Sequence, residues 1–186
     1  MRDYHEFMDE ILVDEKTIEK RVSELSAQIS RDYARQDLLV VCLLRGGMTF
    51  TADLTRFLTI PHTLDCMSLS SYGFGHYSSS GNVRVNLDLM TNIEGLNVLL
   101  VEDIVDSGNT IAYVLEFLQT RQPASLKVCT LLDKPERRET PVPVDYRGFT
   151  IPNKFVFGYG LDLDEYYRNL PFVAVVDLEK YHPPSE

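Results

Sequence analysis

Residues 98–110 read Val-Leu-Leu-Val-Glu-Asp-Ile-Val-Asp-Ser-Gly-Asn-Thr. An apolar strand runs out into two adjacent carboxylates, Glu102 and Asp103. A third, Asp106, stands just ahead of Ser107-Gly108-Asn109-Thr110, which opens a helical pattern. Free backbone N–H groups, hydroxyls and the positive end of the helix dipole make such a start a cradle for phosphate. The carboxylates repel that same phosphate and suit hydroxyls or a metal ion a few ångströms away. A phosphorylated sugar satisfies both halves. In open α/β sheets such a ligand lies in the crevice beyond the carboxyl ends of the strands. The competing account is a solvated acidic turn with a routine helix cap, and two acids abutting an apolar strand with a third ahead of a phosphate-type helix start weigh against it. The commoner nucleotide motifs are absent. There is no GxxxxGK[ST], and Gly73-Phe-Gly75 has Ser78 where a third glycine belongs.

Alternating helical and strand periods must position these groups. Ile18, Val22, Leu25 and Ile29 mark a helix with Asp14 as N-cap and Val13/Ile18 as a hydrophobic staple. Leu38–Leu44 is a continuous apolar strand of the kind covered on both faces of a parallel sheet. Arg45-Gly46-Gly47 breaks it, and Phe50, Leu54, Phe57 and Leu58 resume a helical face. Further strands are expected over 63–69, 83–89, 97–101, 126–132, 155–157 and 172–176. A helix carries Ile111, Val114, Leu115 and Leu118 and stops before Pro123. Residues 71–82, rich in Gly, Ser and Tyr, are expected to form a mobile loop. The pattern is one α/β domain with a mostly parallel central sheet flanked by helices.

Composition removes several function classes. The 186 residues carry 28 acidic and 18 basic side chains, a net charge of −10, so a non-specific nucleic-acid coat is excluded. The longest apolar run has seven residues, far short of the roughly 18 that span a membrane. The N-terminus has no signal-like apolar core. Cys42, Cys66 and Cys129 read as small buried hydrophobes in a reduced compartment, which makes a cytoplasmic location the expectation. His5, His62, His76 and His182 form no pair at ligand spacing, and Asp88, Glu94, Asp164 and Glu165 are expected on solvated faces.

The stretch 101–110 resembles the phosphoribosyl pyrophosphate (PRPP) signature of the type I phosphoribosyltransferases. The Glu-Asp order followed by Asp106 is similar to the 6-oxopurine branch, the hypoxanthine and hypoxanthine-guanine phosphoribosyltransferases. The resemblance extends from the Leu38 strand through Asp177. Leu44-Arg45-Gly46-Gly47 resembles the pyrophosphate loop and Ser71-Tyr72 the flexible catalytic loop. Lys134 and the run Lys154-Phe-Val-Phe-Gly-Tyr-Gly-Leu-Asp162 resemble the purine-binding hood, with Arg168 following.

The resemblance implies a type I phosphoribosyltransferase fold with a core over about 14–132 and 172–178. The hood would be built from the N-terminal segment and about 133–171, with a flexible loop at 71–83 and a disordered tail at 182–186. It implies magnesium-assisted displacement of pyrophosphate from PRPP by hypoxanthine or guanine, giving IMP or GMP. Glu102 and Asp103 would hold the ribose hydroxyls, directly or through the metal, and Asp106 would be the general base at purine N7. Asp106 through Thr110 would bind the 5′-phosphate. Arg45, Gly46 and Arg168 would contact pyrophosphate. Lys134 would donate to O6, Phe155 would stack on the base, Val156 would contact it through its backbone, and Asp162 would sit near a second magnesium. A cis peptide between Leu44 and Arg45 belongs to the same pattern, as does a homodimer or homotetramer.

Arg45 and Asn109 stand where many eukaryotic members have lysine, which is similar to the bacterial branch and ranks hypoxanthine first and guanine second. Three rivals remain. A regulator or RNA-binding attenuator on the same fold would show a basic face, which a net charge of −10 opposes. Transferases for adenine, orotate or uracil lack the combination of Glu102-Asp103, Lys134 and Phe155. A catalytically dead nucleotide sensor would have lost Asp106 or the phosphate loop.

Overall fold

The structure is a computed structural model that describes residues 3–71 and 83–183. Chain order is β1 (Met8–Val13), α1 (Glu15–Asp32), β2 (Leu38–Leu44), α2 (Gly47–Phe57), β3 (His62–Ser71) and β4 (Val83–Leu87). Then come β5 (Asn97–Val105), α3 (Asn109–Gln119), β6 (Ser125–Asp133), β7 (Tyr146–Thr150), β8 (Val156–Phe157) and β9 (Val173–Val176). Six strands form the main sheet in the order β4-β3-β2-β5-β6-β7, parallel throughout except for the β3/β4 pair.

The continuous apolar run of β2 is explained by cover on both faces. Leu38 and Val40 point into one core with Ile18, Val22, Leu25 and Ile29 of α1 and Phe50 and Leu54 of α2. Leu39, Val41 and Leu43 point into a second core with Met67, Ile111, Val114 and Leu118 of α3. Asp14 caps α1 as expected, its Oδ1 accepting the Thr17 N–H at 3.0 Å. Parallel pairing puts the carboxyl ends of β2, β5 and β6 on one edge, and register does the fine placement. Val105 pairs with Asp133, so the next residues off the two strands, Asp106 and Lys134, leave the sheet side by side.

Several expectations need correction. β5 does not stop at Val101 but continues through Glu102 and Asp103 to Val105. β9 pairs with β1 and β8 in a separate three-stranded antiparallel sheet, so 172–178 does not join the main sheet. Phe7, Phe157, Leu163, Tyr167 and Leu170 pack with β9 into that lobe's own core. β7 lies within the segment assigned to the hood, yet it forms an edge of the main sheet. Arg21 of α1 holds it there by donating to the carbonyls of Gly148 and Arg147. β1 and β7 were not expected at all, since Met-Asp-Glu-Ile-Leu-Val and Tyr-Arg-Gly-Phe-Thr carry no continuous apolar run. Phe57 is exposed rather than on the buried face of α2, and Cys66 is half-buried while Cys42 and Cys129 are buried. Tyr72 and the rest of the loop to 82, and the last three tail residues, lie outside the described residues, as does the Ser71 side chain.

Candidate active site

Two clusters stand on the carboxyl edge of the main sheet. The first joins the exit of β2 to the acids of β5. The Leu44–Arg45 peptide is cis, as the resemblance implied. Gly46 lies so close to β5 that a Cβ there would overlap the Asp103 carboxylate, and Gly47 faces the Val101 carbonyl. From the smaller lobe, Gly160 (φ +99°) approaches the Gly46 carbonyl so closely that no side chain fits between them. Glycine at 46 lets the loop after β2 reach the Asp103 carboxylate, and glycine at 160 lets the smaller lobe reach that loop.

Glu102 and Asp103 are neighbours in a poorly hydrated place. Asp103 is buried and accepts the Ile104 N–H at 2.7 Å. Burial pushes its carboxyl up to about 6, against the opposing pull of the Ile104 N–H and the Arg168 charge. Burial and the Asp103 charge together raise Glu102 well above the usual carboxylate range. The Glu102 Oε2 is buried without a hydrogen-bond partner. Such a pair is short of positive charge, and hard oxygen ligands of this kind fit magnesium, which takes one or two carboxylates plus waters and substrate phosphates. No cluster of three or more metal-type side chains occurs among the described residues.

Arg168, Asp162, Glu165 and Arg45 form a charge network beside this pair. Arg168 donates to the Gly160 carbonyl at 2.8 Å and pairs with Asp162 at 2.7 Å and Glu165 at 3.5 Å. Arg45 pairs with the other Glu165 oxygen at 2.6 Å. Glu165 was expected on a solvated face. It is exposed there, its side chain 59% open to solvent, and it also links the two arginines that the resemblance assigns to pyrophosphate, a role that a contact across 120 positions hides from sequence reading. Asp88 and Asp164 likewise have partners, in Arg121 and the Tyr181 hydroxyl.

The second cluster surrounds Asp106. As a helix cap it fails: Gly108 (φ +89°) is the N-cap of α3, and no side chain caps it. Its carboxylate instead meets two cations, Lys134 Nζ at Oδ2 (3.2 Å) and Arg137 Nε at Oδ1 (3.1 Å). Lys134 is buried, against its alternative reading as a solvated member of a charged run. Ser107 Oγ accepts the Asn109 N–H at 3.4 Å, and the Ser107 carbonyl accepts the N–H groups of Glu139 and Thr140. The Asn109 side chain donates to Glu139 and accepts from Thr140, so it straps the loop and leaves the backbone and Thr110 to face a ligand. Val156 is buried in β8, whereas Phe155 is 44% exposed and so is not a core aromatic. Arg137, Glu139 and Thr140 were missed from sequence. Their only local signal was the charged run that follows Lys134.

A family model of the phosphoribosyl transferase domain matches residues 9–164. Hypoxanthine phosphoribosyltransferase of Salmonella typhimurium is 48% identical over 171 residues, 91% of this chain and 96% of that protein. Hypoxanthine-guanine phosphoribosyltransferase of Dictyostelium discoideum is 47% identical over 176 residues, covering 92% and 97%. A crystal structure of a hypoxanthine phosphoribosyltransferase from Staphylococcus aureus superposes with a TM-score of 0.91 at 40% identity, covering 96% of each chain. A parallel sheet with acids and a phosphate-type helix start on its carboxyl edge defines a nucleotide- or sugar-phosphate-handling α/β protein. The chain belongs to the phosphoribosyltransferase family.

Proposed function

We propose that this chain is a purine-salvage enzyme that transfers 5-phosphoribosyl from PRPP to N9 of hypoxanthine, and second to guanine, releasing pyrophosphate. The observation that carries the base class is the pair Lys134 Nζ and Asp106 Oδ2, 3.2 Å apart. An ammonium is donor only and an ionised carboxylate acceptor only. A 6-oxopurine protonated at N7 offers the complementary edge, an acceptor at O6 beside a donor at N7. Adenine offers an amino group at position 6, for which Lys134 has no acceptor.

In the reaction N9 forms its bond to C1 as the C1–oxygen bond breaks and pyrophosphate leaves with the bonding electrons. The N7 proton passes to Asp106. The helix start at 107–110 takes the 5′-phosphate, and Arg45, the Gly46 backbone and Arg168 take pyrophosphate, with Glu165 holding both arginines in readiness. Glu102 and Asp103 take the ribose hydroxyls and supply negative field beside a sugar carbon that becomes cation-like. Magnesium, held by Glu102 and Asp103, would neutralise pyrophosphate charge. Asp162 is held by Arg168 and the Glu165 N–H and would serve a second metal through water. Phe155 covers the base. A cytoplasmic location and a homodimer or homotetramer belong to the same reading. No helix among the described residues is long and apolar enough to cross a membrane, and −10 of net charge disfavours the regulator reading on nucleic acid.

The test is a spectrophotometric assay with PRPP and magnesium, comparing hypoxanthine, guanine, xanthine and adenine. Hypoxanthine and guanine should turn over and adenine should not. Asp106→Asn should lower the rate by about 10²–10⁴-fold. A folded protein that binds PRPP yet converts no 6-oxopurine would sink the assignment and favour a sensor.

A further inference from the structure

Lys134 and Arg137 reach the same carboxylate because of the turn between them. Pro135–Arg137 is a single 3₁₀ turn with proline in its first position, and the Arg137 N–H donates to the Lys134 carbonyl at 3.0 Å. Lys134 caps the turn, and the turn closes back on it, so both cations reach the same carboxylate. The Lys134 N–H donates to the Val105 carbonyl at 2.9 Å, which fastens the turn to β5 immediately before Asp106. The result divides the carboxylate: Arg137 holds Oδ1 and Lys134 lies against Oδ2.

We propose that Arg137 is a positioning residue for the transfer, fixing the Asp106 carboxylate so that Oδ2 alone faces the N7 proton of the purine. The inference rests on the function proposed above. A carboxylate with both oxygens free rotates about its last bond, and a general base must hold hydrogen-bond geometry to the proton it accepts. Lys134 touches Oδ2 and shares its ammonium with O6, so nothing but Arg137 holds Oδ1 among the described residues. Arg137 has no such second duty. The guanidinium keeps Oδ1 engaged while Lys134 reorients, so the acceptor beside Lys134 stays in place. The Arg137–Asp106 pair is open to solvent, with side chains 48% and 38% exposed. Exposed pairs of this kind contribute little to stability, so removing Arg137 should spare the fold.

Steady-state kinetics of Arg137→Gln, Arg137→Lys, Asp106→Asn and the R137Q/D106N double variant test this. R137Q should lower kcat for hypoxanthine about 10–100-fold, the range for a misplaced catalytic group, with KM little changed and Tm within about 2 °C of wild type. R137K should recover part of the loss. In the D106N background, followed by single turnover, R137Q should have no further effect, since there is then no base to position. An undiminished kcat in R137Q would overturn the inference, as would R137Q and D106N losses that multiply. A loss confined to KM, or one tracked by a large fall in Tm, would also overturn it. Absence of turnover by the wild-type chain would instead remove the functional reading, and this inference with it.

Discussion

The acids of β5 are held in a state that favours ligand over fold. Asp103 sits at about 6 against 3.8 for an ordinary aspartate because burial disfavours its charge. The stability tied to a raised carboxyl is fully present below the ordinary value and is lost as pH rises through about 6. Near neutrality Asp103 therefore carries a buried charge that a bound cation would relieve. Asp103→Asn should remove that cost. By calorimetry in metal-free buffer, the variant and wild type should melt alike near pH 4. The variant should gain as pH rises from about 4 to about 6 and keep that gain above, at most about 3 kcal/mol, while its transferase activity collapses. A variant no more stable than wild type at pH 7 would show that the carboxylate is already compensated in the free protein. For the same reason magnesium and PRPP should bind more tightly as pH rises through that range, because protons compete for the same oxygens.

At the scale of the element, the site is a set of strand exits. β2 ends at Leu44 and hands over to a loop whose backbone presses on β5, β5 ends at Val105 and hands over to Asp106, and β6 ends at Asp133 and hands over to Lys134. Asp133 is buried between Arg138 and Arg147, so the last residue of β6 also anchors the strap that carries Glu139 and Thr140 back to the Ser107 carbonyl. Gly46→Ala probes the first handover. Its Cβ would overlap the Asp103 carboxylate, moving either the loop or the acid. Displacement of a substrate-positioning group by about 1 Å costs on the order of 10²-fold in rate. We expect a loss of that order in kcat/KM with the far-ultraviolet circular dichroism unchanged. A variant with normal kcat/KM would mean that the loop approaches Asp103 less closely during turnover.

At the scale of the whole molecule, the smaller sheet packs one face into the main core, through Val156, Val173 and Val175, and the other into a core of its own with Phe7 and Phe157. Tyr159 donates to Asp53 of α2 at 2.6 Å, and the next residue, Gly160, touches the Gly46 carbonyl. Gly160→Ala would strain a positive φ and push the smaller lobe off the loop after β2. Activity should fall roughly 10–100-fold, and hydrogen exchange should quicken around 158–161 while the main sheet stays protected. Equal quickening of both lobes would show that they open as one unit instead.

Much of this was legible in the chain. The capped helix α1, the doubly covered strand β2, the acids ahead of a phosphate-type helix start, and the class of chemistry all follow from local order, because periods and caps are set by residues a few positions apart. What the chain alone did not disclose is non-local. β1 and β7 are strands because β9 and β6 pair with them, not because of their own patterns. Glu165 is a linker because Arg45 lies within 2.6 Å of it in space and 120 positions away in sequence. Arg137 faces Asp106 because one register, Val105 against Asp133, sets two strand exits side by side. Local sequence determined which groups could act on a phosphorylated sugar and a purine. Only tertiary packing decided which of them touch, because a partner far along the chain leaves no periodic trace in either segment.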